Sequence, residues 1–241
     1  MVTANYKFPF MHITRCSTVA ELNQKAADII ISELNKKPQS LFCTATGNSP
    51  TGIYKLLAER KDAINAKGLS LIKLDEWYGL PMDHPASCEY YLQKHLTGPL
   101  GITSVTGFDS NAEPEAECNR INDYLTNSGP IDICVLGLGQ NGHIGFNEPA
   151  DFLHPHAHLS ALSETSLHHP MIQGSGIDVK YGLTLGLADI LQSRKIILPV
   201  FGQNKRAIMQ RLMEGKVSTH LPASLLWLHP NTECLYCEND N

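Results

Sequence analysis

Residues 131–149 read IDICVLGLGQNGHIGFNEP, and this stretch decides the fold. Its first eight residues, IDICVLGL, form an almost unbroken apolar run. A strand covered on both faces, as in a parallel sheet under helices, has this character. The run leads into Gly137-Leu138-Gly139-Gln140-Asn141-Gly142, which satisfies G-x-G-x-x-G after a strand. A dinucleotide fingerprint needs a helix to open at once, so that its N-terminus meets the pyrophosphate. Here the chain continues through Gly145 and Pro149, which oppose a regular helix. The glycines read instead as a tight turn that lets backbone approach something closely. His143 and Glu148 stand five residues apart in this irregular loop. A histidine and a carboxylate beside a glycine turn suggest an acid–base relay, with a histidine satisfied by its neighbours as the plainer alternative.

Outward from this loop the chain alternates between strand and helix patterns. Residues 18–36 carry apolar positions at helical spacing, with Thr18 and Glu21 in capping-box register, and Pro38 stops that helix. Residues 40–45 (SLFCTA) read as a buried strand. The turn TGNSPTG (46–52) follows, and a helix resumes over 53–64. A second strand over 70–74 runs into Asp75-Glu76. Residues 87–97 and 115–128 look helical. Residues 194–201 (RKIILPVF) match the strand at 131–138, although Pro199 is awkward for a central strand. A helix over 203–215, a helical turn at 223–229 and a last strand, ECLYC, complete the pattern. The alternation predicts one α/β domain over residues 1–241: a mostly parallel sheet with helices on both faces. In such sheets, sites gather beyond the carboxyl ends of strands, where the polar clusters of this chain fall.

The composition is globular, with 42% hydrophobic and 18% charged residues. The net charge of −5 and the lack of any basic block speak against nucleic acid or an anionic membrane as a partner. No stretch approaches the roughly 18–20 apolar residues of a membrane span, so a cytoplasmic location is expected. The seven cysteines are odd in number and several sit in apolar runs, which suits free thiols in a reducing compartment. Cys234 and Cys237 make one C-x-x-C pair, without the second pair that zinc would want. His154, His156 and His158 alternate in FLHPHAH, and His168-His169 follow. That spacing has no standard metal geometry and reads as exposed loop.

Four clusters remain for chemistry. Thr46, Gly47, Asn48 and Ser49 lie between strand and helix, where backbone N–H groups and hydroxyls can cradle a phosphate. No Gly-Lys-Ser/Thr follows, which argues against triphosphate chemistry. Asp75-Glu76, beside Trp77-Tyr78, offers a carboxylate whose pKa partial burial would raise, as suits a general base; one of the two is expected to be a solvated charge. His143 and Glu148 make the third cluster. Lys205, opening a helix after FGQN, is a candidate phosphate ligand or a plain surface lysine.

Together, GLGQNGHIGFNEP (137–149), KLDEWYGLP (73–81), TGNSPTGIY (46–54), FGQNK (201–205) and YGLTLG (181–186) resemble the glucosamine-6-phosphate deaminase/isomerase family. The resemblance runs in order from about residue 18 to 237. Leu74–Trp77, Asn141 and ASLLWLH (223–229) are most similar to the galactosamine-6-phosphate branch. The resemblance implies a modified Rossmann-like sheet, no metal, no redox cofactor, a small sugar phosphate as ligand, and a monomer or small homo-oligomer. Asp75 would move a proton between C2 and C1, and His143 would assist ring opening. Glu148 would support His143 and the amine-bearing carbon. Lys205, Gly137 and the 46–49 turn would hold the substrate and its phosphate.

The chain departs from the family pattern in three places. Asn141 stands where glucosamine-type members carry Asp; an amide can orient an imidazole but adds no charge to it. No phosphate-binding arginine appears in SLHHPMIQGSG, which leaves His168 or His169 as substitutes. The basic and serine residues of allosteric members are replaced around Asp151, Phe152 and His158, so activation by an N-acetylhexosamine phosphate is not expected. Two other readings compete: a 6-phosphogluconolactonase, which shares the GxGxxGH loop but typically follows its Asp-Glu pair with arginine, and a sugar-phosphate sensor without catalysis.

Overall fold

The computed structural model describes residues 11–173 and 175–239. Its strands and helices are β1 (His12–Arg15), α1 (Val19–Lys36), β2 (Leu41–Thr44), α2 (Asn48–Glu59), β3 (Ser70–Lys73), β4 (Asp75–Trp77), α3 (Cys88–Leu92), α4 (Gly98–Leu100), β5 (Ser104–Thr106), α5 (Pro114–Ser128) and β6 (Ile133–Val135). The second half adds β7 (His158–Ala161), α6 (Glu164–Leu167), β8 (Tyr181–Thr184), α7 (Leu187–Leu191), β9 (Lys195–Phe201), α8 (Arg206–Met213) and β10 (Thr232–Cys237). Seven strands form one sheet in the order β1-β10-β9-β6-β2-β3-β5, and every neighbouring pair is parallel. The expected α/β architecture is the observed one.

The apolar runs are continuous because both faces of this sheet are covered. Along β2, Leu41 and Cys43 enter one core cluster, and Phe42 enters the cluster on the opposite face. Along β9, Ile196 and Leu198 face one way and Ile197 the other. Pro199 is tolerated although β9 is central. N–H groups of even-numbered residues turn toward β10, as Ile196 N to Asn231 O and Gly202 N to Cys237 O show. The missing donor of Pro199 therefore faces β6, beyond the last registered pair Val135↔Ile197.

Several boundaries differ from the sequence pattern. Thr18 caps α1 by accepting from Glu21 N, but the return bond from Ser17 N to Glu21 Oε2 lands one residue early. Helix α2 begins at Asn48 rather than 53, so TGNSPTG is mostly its first turn. Gly52 does not break it: a Cβ there would lie 2.2 Å from Asn23 Nδ2 of α1, so its role is close helix contact. The helical stretch at 87–97 splits into α3 and a π-turn at Gln93–Thr97.

The sequence pattern missed a three-stranded antiparallel sheet, β4-β8-β7. It changes the position of Asp75. Leu74 N still bonds Thr44 O of the main sheet, while Leu74 O accepts from Leu185 N. Asp75 then pairs with Thr184 in the small sheet. The residue sits at a step between two sheets, fixed on both sides, rather than at a frayed strand end. Among the described residues, no helix is long and apolar enough to cross a membrane.

Candidate active site

A cavity of about 580 Å³ opens beyond the carboxyl ends of β2, β3, β6 and β9. The chain direction across the sheet reverses here: β2 to β3 steps one way, and β6 and β9 lie on the other side of β2. Thr46, Asn48, Ser49, Asp75, Gly137, His143 and Lys205, all singled out from the sequence, line it. Gly47, Asn141 and Glu148 do not. Gly47 turns the chain with φ +95°, and its carbonyl accepts from Thr51 Oγ1 and Tyr91 OH. Its function in the turn is conformational.

The 137–148 loop is closed on itself by Gly139 N to His143 O at 2.9 Å. A Cβ on Gly139 would stand 2.5 Å from the His143 ring, so only glycine lets the imidazole lie back on the turn. A Cβ on Gly137 would meet no protein atom within 4 Å; its absence leaves room in the cavity. Behind the imidazole, His143 Nδ1 approaches Glu148 Oε2 at 3.3 Å and Ser166 Oγ at 3.4 Å. This leaves Nε2 for the cavity. Glu148 is ringed by donors: Asn141 Nδ2 at 2.8 Å and Ser166 Oγ at 2.5 Å. Burial pushes its carboxyl up, but the bonds and charge from His143, then Ser166 and Asn141, outweigh this and hold it at about 2. Glu148 is thus an ionised support behind the histidine.

Asn141 does not touch the ring. Its Oδ1 accepts from the His143 backbone N, and its Nδ2 donates to Glu148 and to Ser163 Oγ. The expected orientation of the imidazole by this amide is therefore indirect, through Glu148. The reason is reach: two residues before His143 in a tight turn, its side chain folds back along the backbone.

Asp75 and Glu76 have opposite surroundings, and neither is solvated. Glu76 is fully buried and accepts from Trp77 N, Cys88 N, Glu89 N and Lys73 Nζ at 2.8–3.1 Å. The expectation of a loop charge fails because the small sheet and α3 close over it. Asp75, 8% exposed, accepts one side-chain bond, from Cys88 Sγ at 3.8 Å. Burial first, then the charge of Glu76, raise its carboxyl to about 7 against the thiol and Lys73.

Lys205 and His169 form a further part of the cavity wall. Lys205 Nζ bonds Leu138 O at 2.6 Å, and burial lowers its pKa. His169 packs against Trp77 and against the Gly47 turn. Burial, then His143 and Lys205, lower it to about 4, so it is neutral. Its Nδ1 accepts from Met171 N, which assigns the ring proton to Nε2. Sequence reading overlooked α6, which brings Glu164, Thr165 and Ser166 to the cavity. The only local signal was Ser163, which caps that short helix.

His168 lines the cavity as well, while the histidines at 154–158 and the C-x-x-C pair stay outside it. His158 belongs to β7 rather than to a loop, and stacks on His154 at 4.4 Å, while His156 pairs with Asp189. Among the described residues no group of three His, Cys, Asp or Glu side chains is placed to hold a metal ion. Cys234 and Cys237 are free and buried on opposite faces of β10, three residues apart in a period-two element.

Residues 14–236 match the family model described as glucosamine-6-phosphate isomerases/6-phosphogluconolactonase. The chain is 38% identical to AgaI of Escherichia coli strain K12 over 231 residues, 94% of this chain and 92% of that protein. It is also 38% identical to the glucosamine-6-phosphate deaminase of Geobacillus sp. strain WCH70, over 92% of this chain and 91% of the other. A monomeric glucosamine-6-phosphate deaminase of known structure superposes with a TM-score of 0.88 at 32% identity, covering 94% of this chain and 97% of that one. A 6-phosphogluconolactonase from Shewanella baltica shares the fold, with a TM-score of 0.76 at 18% identity over 95% and 99% of the two chains.

Proposed function

Because this chain belongs to the glucosamine-6-phosphate isomerase/6-phosphogluconolactonase family, and is similar along nearly its whole length to hexosamine-6-phosphate deaminases, we propose that it isomerises and deaminates a 2-amino-2-deoxyhexose 6-phosphate. The observation that carries this reading is the contrast inside one cavity. A carboxylate poised near neutrality stands at the step from β3 to β4, and an imidazole backed by a firmly ionised carboxylate stands in the loop after β6.

The chemistry divides between them. With Nδ1–H held by ionised Glu148, His143 presents Nε2 as the proton acceptor. It takes the proton of the anomeric hydroxyl and returns one to the ring oxygen, which opens the pyranose. Asp75 then removes the C2 proton to give an enolamine and delivers a proton to C1. The resulting imine at C2 adds water and expels ammonia, leaving a ketohexose 6-phosphate. A base near pH 7 suits proton removal from carbon, because it is ionised in useful measure yet still strong. Asp75 on a strand anchored in two sheets holds that base still over its target. Lys205, with Thr46, Asn48 and Ser49 at the opening of α2, receives the phosphate. The open space over Gly137 accommodates the sugar backbone. Glu148 acts through His143, since it does not line the cavity.

For the epimer, galactosamine 6-phosphate giving tagatose 6-phosphate is our reading from the sequence motifs, and glucosamine 6-phosphate giving fructose 6-phosphate fits the named relatives. A lactonase needs no proton abstraction from C2, since its hydrolysis requires a base only to activate water. Seven buried free thiols accord with the cytoplasm as its location. The test is ammonia release from each hexosamine 6-phosphate under identical conditions, alongside acid release from 6-phosphogluconolactone. Ammonia from neither, with acid from the lactone, would sink the deaminase reading.

A further inference from the structure

Cys88 opens α3 and is fully buried, yet its sulfur touches two parts of the site. It lies 3.3 Å from Thr46 Oγ1, in the turn that precedes α2, and 3.8 Å from Asp75 Oδ1. A thiol has one proton to give, and an ionised carboxylate is the better acceptor. The S–H therefore points to Asp75, and the Thr46 hydroxyl donates to the sulfur. Among the described residues this thiol is the sole side-chain donor to Asp75. Its other carboxyl oxygen has no protein partner there and belongs to the cavity that Asp75 lines.

The backbone fixes the thiol in that place. Glu76 accepts from Cys88 N at 2.8 Å and Glu89 N at 2.9 Å, and Lys73 Nζ neutralises it at 3.0 Å. The carboxylate next to the base thus holds the helix terminus that presents the donor. Ser87 caps the same terminus by accepting from Tyr90 N.

We propose that Cys88 is a positioning residue for Asp75: its thiol holds one carboxyl oxygen, leaving the other as the proton acceptor over the substrate. This rests on Asp75 acting as the base of the proposed reaction. A thiol is suited to the task because it is a weak donor. It fixes the carboxylate while drawing off less of its basicity than the stronger donors at Glu148 do. The other ionisable groups facing Asp75 are Glu76 and Lys73 on its own segment, Cys43 on β2, Tyr54 on α2 and His143 across the cavity. A substitution at 88 leaves each of them in place.

The test uses the full chain with Cys88→Ala, which removes the donor, and Cys88→Val, which removes it while filling the space. Two readouts are taken: the acid limb of kcat/KM against pH, and direct titration of the Asp75 carboxyl by carbon NMR in the absence of substrate. The acid limb and the NMR midpoint should both move up by roughly half a unit to one unit in either variant that folds. An unmoved Asp75 titration overturns the inference and leaves the base assignment standing. A moved titration with an unmoved kcat/KM profile overturns the base assignment instead, and with it the reading of Cys88 as serving catalysis.

Discussion

Asp75, which lines the cavity, and Glu148, set behind His143, differ by about five units in acidity, although both are largely buried. Asp75 stands near 7 and Glu148 near 2. The difference is one of partners. Glu148 receives two strong side-chain bonds and the charge of a histidine, whereas Asp75 receives one thiol and the repulsion of Glu76. Burial therefore does not set acidity by itself; it multiplies whatever the local donors supply. One site thus holds a reactive base and an inert counterion, built from the same functional group.

The sharpest way to break this contrast is Asp75→Asn. It should lower kcat for ammonia release by about 10³–10⁴-fold with sugar-phosphate binding retained. Loss of binding with kcat unchanged would contradict the assignment. Glu148→Gln should cost less, roughly 10²-fold in kcat, because His143 keeps its place but loses the charge behind it.

The two substitutions should also act on stability with opposite signs. Asp75 has a folded pKa raised from 3.8 to about 7. Its favourable contribution is complete below its unfolded value and is lost as pH rises toward 7, a loss on the order of 4 kcal/mol at most. Glu148 is depressed from 4.5 to about 2. Its contribution, on the order of 3 kcal/mol, is present above its unfolded value and is lost as pH falls toward 2. Urea unfolding at pH 8 should show Asp75→Asn stabilised and Glu148→Gln destabilised, each by about 1–3 kcal/mol. The same sign for both would remove the basis of the comparison.

The smallest expected effect is that of Asn141→Asp. The amide now donates to Glu148 Oε2 at 2.8 Å, so an aspartate would set carboxylate against carboxylate. Their repulsion raises both carboxyl pKa values, so Glu148 should titrate at higher pH. A kcat reduction of about tenfold at neutral pH is expected. A pH–rate profile identical to that of the parent enzyme would show that Asn141 does not act through Glu148.

Much of the site was legible in the chain because each part was local. The glycine turn, His143 and Glu148 lie within twelve residues, and the strand that precedes them announces itself by apolarity. The 46–49 turn, Asp75 and Lys205 follow strands in the same manner. What escaped was non-local. Ser166 and Cys88 sit on short elements with no period of their own, and reach the site only through tertiary packing. The small sheet was invisible for the same reason: β4, β7 and β8 have three or four residues each, too few to show alternation.

The sequence by itself determined that this is a parallel α/β chain and which loops meet at the sheet's carboxyl edge, since hydrophobic period and glycine placement are written residue by residue. It also named the ionisable groups of the site. Only the tertiary structure decided what each would be at neutral pH. Acidity in a buried site depends on which donors other segments bring within about 3 Å, and that is a property of packing rather than of sequence order.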